Sequence, residues 1–309
     1  MEEMQGLALC EQYFRAYGEP MLHRCFAQYE NRIAAGLVGE GSECFGFDDA
    51  ISRDHDFGPR FFLFLTNEDD ATIGLELARA YRALPQEYAG MRVEQQSAWG
   101  TPRAGVLTID AFYRRFTGCP GVPPCHEAWL AIPPYSLACA VNGAVFRDPL
   151  GRFTQIRQSL LQGYPEDVRR KKISQSAIVM AQSGQYNYSR CRAHGEQAAA
   201  QLALYRFCEA AISMLYLLNR RYMPFYKWAL RGAQNLPILP QLQPQISSLL
   251  CADAQTDCKA TIETVCAAVI CELQRQSLTT GAWDYLEPHA FAIAEGITDQ
   301  KLRTMHIMP

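Results

Sequence analysis

Residues 39–57 read GEGSECFGFDDAISRDHDF. The apolar run Ile33–Val38 leads into this stretch and is short enough for a buried strand. Gly41-Ser42 follows as a turn whose small side chains let backbone N–H groups approach a phosphate closely. Eleven residues separate Ser42 from Asp54, and Asp54-His55-Asp56 stands directly before a second apolar run, 57–65. In an extended chain residues i and i+2 share a face, so Asp54 and Asp56 are expected to point together while His55 points away. Parallel carboxylates repel unless a cation lies between them. Mg²⁺ suits such a pair, because it takes one or two carboxylates and completes its shell with substrate phosphates.

Outward from this stretch, 3–16 has helical spacing in Leu7, Cys10 and Phe14, and Gly18-Glu19-Pro20 is expected to break the run before a second helix. Residues 60–65 are nearly continuous Phe and Leu, as in a strand covered on both faces. The acidic cluster Thr66–Asp70 is read as the cap of a helix over 71–83, since carboxylates suit the positive end of a helix. Residues 105–110 read as a third strand ending in Asp110, a position equally suited to a helix cap. Asp148–Gly151 has turn chemistry between apolar residues and suggests a hairpin.

Beyond Gly163–Asp167 the β-branched runs stop and helical periodicity takes over. The expected architecture is therefore α+β: an α/β domain with a mixed sheet over 1–165, then an all-α helical bundle over 166–309. The bundle opens on Arg169-Arg170-Lys171-Lys172, read as a solvated helix face, with a clamp for nucleotide phosphates or an RNA end as the alternative. On the long helix over 196–219, Leu204, Cys208, Ala211, Leu215 and Leu218 should face the core. Glu209 lies on a neighbouring, largely apolar stripe and needs a partner or a purpose: an arginine such as Arg190 or Arg192 would make it structural, and otherwise it is a catalytic candidate. Pro224 ends that helix before Tyr226-Lys227-Trp228.

Composition is that of a globular protein, 49% hydrophobic and 20% charged with a net charge of −3, which argues against a dedicated nucleic-acid binder. The acidic start Met1-Glu2-Glu3-Met4 is unlike a secretory signal, and no apolar stretch reaches membrane-spanning length, so a cytoplasmic location without membrane contact is expected. The 12 cysteines form no Cys-x-x-Cys pair and read as reduced thiols rather than a zinc site.

Gly41-Ser42 followed by Asp54-x-Asp56 resembles the motif of the nucleotidyltransferase superfamily, which includes DNA polymerase beta and the kanamycin and lincosamide nucleotidyltransferases. Gly46 and Ser52 fit the same pattern, whereas Arg53 is an extra residue where many members join serine directly to aspartate. The wider pattern, with Tyr226-Lys227-Trp228, resembles an uncharacterised bacterial nucleotidyltransferase-like family of unknown function. The resemblance implies that Gly41, Ser42, Arg53 and Lys227 bind the nucleoside triphosphate, ATP in the first instance. It further implies that Asp54, Asp56 and Asp110 hold one or two Mg²⁺ ions, Asp110 being the third carboxylate. The expected reaction moves AMP to a hydroxyl of an acceptor: a small molecule, a protein side chain or an RNA end. Two alternatives stand beside it, a nucleotide-binding or interaction protein without turnover and a toxin- or antitoxin-type nucleotidyltransferase acting on tRNA or a protein.

Overall fold

The computed structural model describes residues 5–49, 58–93 and 103–308. The chain divides into two compact units, residues 1–124 with 136–162 and residues 125–135 with 163–309.

In the first unit α1 (Gly6–Tyr13) runs through a π-helical turn, Phe14–Gly18, into α2 (Glu19–Cys25). The expected break at Gly18–Pro20 is therefore absent: the wide turn accommodates a proline that has no N–H to donate. There follow β1 (Ala34–Leu37), β2 (Phe62–Leu65), α3 (Asn67–Arg82), the short hairpin β3 (Glu87–Tyr88) and β4 (Met91–Arg92), and β5 (Gly105–Thr108). Next along the chain come α4 (Ile109–Thr117), then α5 (His126–Ala131), which belongs to the second unit, then α6 (Pro134–Val141), β6 (Ala144–Arg147) and α7 (Arg152–Leu161). The sheet order is β5-β2-β1-β6, with β1 antiparallel to β2 and β6, and β2 parallel to β5.

The Phe-Leu run is the centre of the sheet because both its faces are covered. Phe61, Leu63 and Leu65 join a core with Tyr13, Phe14, Ile73 and Leu77 from the helices on one side. Phe64, on the opposite face, meets Phe112 of α4 at 5.3 Å and Phe153 of α7 at 4.4 Å between ring centroids. Burying these side chains stabilises the fold by roughly 2–3 kcal/mol each. Helix α3 starts four residues earlier than expected, at Asn67, because Thr66 caps it by accepting from the Asp69 N–H. Asp148–Gly151 makes no hairpin. It leads from β6 into α7, with the Asp148 carboxylate accepting from the Thr154 N–H at 2.7 Å.

The second unit is helical in all its described elements: α8 (Glu166–Met180), a π-helical stretch Ala181–Tyr188, α9 (Ser189–Ala193), α10 (Gln197–Leu218), α11 (Tyr226–Ala233), α12 (Leu242–Leu250), α13 (Lys259–Arg275), α14 (Leu286–Glu295) and α15 (Gln300–Thr304). The molecule is thus α+β, a mixed sheet with helices followed by a helical bundle. Segment 125–135, expected in the first domain, packs with the second unit, where Trp129 of α5 meets Tyr164 and Glu127 pairs with Lys301. The stripe Leu204, Cys208, Ala211, Leu215 and Leu218 is buried as its spacing predicts. Among the described residues no helix is long and apolar enough to cross a membrane.

Candidate functional site

The chain leaves β1 into a turn that Asn142 clamps. Its side-chain oxygen accepts from the Gly39 N–H at 2.8 Å, and its amide donates to the Gly39 carbonyl at 2.6 Å. Gly41 has φ +132°, and a Cβ there would lie 2.6 Å from the Glu43 carboxylate, so only glycine fits. Among the described residues, no acceptor meets the backbone N–H groups of Gly41 and Ser42. Unused donors on a small-residue turn are what an anion needs. Two glutamates flank them, and each is neutralised. Glu40 pairs with Arg115 at 2.6 Å, and buried Glu43 pairs with buried Arg60.

Asp110 does not reach this turn. Strand β5 ends at Thr108, which caps α4 by accepting from the Ala111 N–H, so Asp110 sits in the first turn of a helix and not on a strand. Because β1 is antiparallel to β2 and β5 is parallel to it, β1 delivers Gly41 and Ser42 to the end where β2 begins. β5 delivers Asp110 to the end where β2 finishes. Strands of this length separate the two ends by roughly 10 Å. Helix α4 runs back across that distance, so that Arg115 and Phe116, not Asp110, approach Glu40 and Gly39. Asp110 instead accepts from the Asn67 side chain at 2.8 Å. Asp54, Asp56 and Arg53 lie outside the described residues. No three His, Cys, Asp or Glu side chains among the described residues are grouped to hold a metal ion. Asp110 thus lies at the strand end opposite the Gly41–Ser42 turn.

In the second unit the remaining expectations separate. Lys227, exposed in the first turn of α11, holds its ammonium 4.5 Å from the centroid of the Trp228 ring, the packing role of a cation over an aromatic. Glu209 is exposed and pairs with neither proposed arginine: Arg190 lies over Tyr186, and Arg192 donates to the carbonyls of Ala254, Gln255 and Thr256. The basic run is no solvated face either. Arg169 and Lys171 are buried, donating to the carbonyls of Leu217 at 3.0 Å and Met305 at 2.6 Å.

What sequence reasoning missed is where the run's last residue goes. Lys172, Gln175, Ser176 and Val179 share one face of α8, and Arg206, Glu209, Ala210 and Ser213 share one face of α10. Between them lies a cavity of about 360 Å³, completed by Tyr164, Tyr216, Arg221 and Met223. Burial pushes the Lys172 amine down to about 8. Its Nζ lies 5.2 Å from the Tyr164 ring centroid. The signal was present in the sequence as two polar stripes at helical spacing, but only packing shows that they face each other.

Residues 129–229 match the family model described as "Domain of unknown function (DUF4037)", a segment that contains every residue lining this cavity. No curated protein matches the chain. Among solved structures, a nucleotidyltransferase-like protein from Exiguobacterium sibiricum 255-15 aligns over 94% of this chain and 81% of its own. The identity is 12% and the TM-score 0.36, a likeness that carries neither activity nor ligand across.

Proposed function

We propose that this protein is a nucleotidyltransferase that moves a nucleoside monophosphate, AMP in the first instance, from a triphosphate to a hydroxyl of an acceptor. One observation supports the reading most: the Gly41–Ser42 turn. Sheet topology delivers it to the end where β2 begins, and its two N–H groups meet no acceptor among the described residues. Those donors and the Ser42 hydroxyl would bind phosphate oxygens. Arg115 and Arg60 keep Glu40 and Glu43 from repelling them. Mg²⁺ would be held by Asp54 and Asp56, where it neutralises phosphate charge and orients the α-phosphate. Asp110 is left out of this assignment.

A second reading, nucleotide binding without turnover, is favoured by that same displacement of Asp110 from the turn. Pyrophosphate release separates the two. The full chain is incubated with Mg²⁺, ATP labelled at the α-phosphate, and pools of metabolites, RNA or protein. Transfer of label with release of pyrophosphate, abolished by Asp54→Asn with Asp56→Asn, is expected. ATP binding without pyrophosphate would establish the second reading, and absence of nucleotide binding would overturn both.

A further inference from the structure

Three cations and one carboxylate face the cavity between α8 and α10: Lys172, Arg206, Arg221 and Glu209. Among the described residues none of the four has an ion-pair or hydrogen-bond partner. Three cations against one carboxylate leave an excess of positive charge on the walls of one small space, which an anion would offset. A separate observation points the same way. Tyr164 is 6% exposed and lines the cavity, yet its hydroxyl has no hydrogen-bond partner. A buried hydroxyl left unused is costly, and most such groups in folded proteins are paired.

We infer that this cavity binds a small phosphomonoester whose body carries a hydroxyl or amine for Glu209. The charge excess of the site matches a phosphate dianion, and the planar forks of two arginines suit its oxygens. A volume of about 360 Å³ lies at the lower end of small-ligand pockets, which favours a compact metabolite over a peptide. Pro134, Val179 and Met223 supply apolar wall for its body. Glu209 repels a bare anion, so it has a use only if the ligand extends a donor beyond the phosphate. It therefore selects a phosphorylated molecule over inorganic phosphate. All the lining residues belong to the second unit, so the inference stands apart from the nucleotidyl-transfer reading.

Calorimetric titration of the full chain with ribose 5-phosphate, ribose and inorganic phosphate tests it. Ribose 5-phosphate should bind more tightly than phosphate, and ribose not at all. Arg206→Met and Lys172→Met should each weaken it at least about tenfold. Glu209→Gln should remove the preference over inorganic phosphate, and Asp54→Asn with Asp56→Asn should change nothing. In the parent protein, independent of any variant, ribose 5-phosphate should slow acylation of Lys172 relative to Lys227 and Lys259, read by mass spectrometry. No binding of either phosphorylated probe into the millimolar range, or unprotected Lys172, overturns the inference. So does competition by ATP that Arg206→Met abolishes, because the cavity then serves a triphosphate.

Discussion

Glu43 and Arg60 form a buried ion pair immediately behind the Gly41–Ser42 turn, with the carboxylate filling the space that a side chain at position 41 would need. Removing one partner strands the other charge away from water. Arg60→Met is therefore expected to destabilise the first unit by about 3–5 kcal/mol. Adding Glu43→Met should recover a large part of that loss, which urea unfolding of the single and double variants will show. Equal stability of the single variant and the parent would mean that the pair contributes nothing.

Asp110→Asn is expected to leave Mg²⁺–ATP affinity unchanged, because the sheet places Asp110 at the end opposite Gly41 and Ser42. Its stability effect should be small, roughly 0.3–1 kcal/mol, from a weaker carboxylate at the N-terminus of α4 and a weaker bond from Asn67. Asp54→Asn with Asp56→Asn should abolish the same affinity. A loss of binding in Asp110→Asn alone would return it to the metal site.

Lys227→Met should lower neither ATP nor AMP affinity. Met retains the aliphatic packing over Trp228, and the cation that it removes is exposed and held over that ring. Thermal-shift titrations with both nucleotides check this, and a loss confined to ATP would place Lys227 on the triphosphate.

Lys172 makes a prediction in pH. Burial lowers its amine from the ordinary 10.5 to about 8, so below pH 8 the folded protein carries a desolvated ammonium. Between about 8 and 10.5 the unfolded chain holds more protons than the folded one, and this group makes stability rise with pH. Arg206, Arg221, Glu209 and Tyr164 face it, and burial holds the Tyr164 phenol above that window. Lys172→Met should therefore be more stable than the parent at pH 7, and the rise across the window should flatten. A variant less stable at pH 7 would show that the ammonium is already favourably housed.

The sequence by itself determined the element types and the composition of the two halves. The Phe-Leu run of β2, the Gly41–Ser42 turn and the 204–218 stripe are local patterns, and a strand or helix period needs no knowledge of its neighbours. The hairpin expected at Asp148–Gly151 failed because turn chemistry serves a helix start as well as a strand reversal. Tertiary structure alone decided direction and facing. Asp110 follows a strand just as Gly41 does, but a parallel partner sends one chain end away from the other, and nothing local encodes that choice. Arg169 to Lys172 likewise read as a solvated run, yet successive helical residues point about 100° apart. Packing therefore turned its members to different fates: Arg169 is buried against the end of α10, Lys171 is buried against the carbonyl of Met305, and Lys172 is left on a cavity wall.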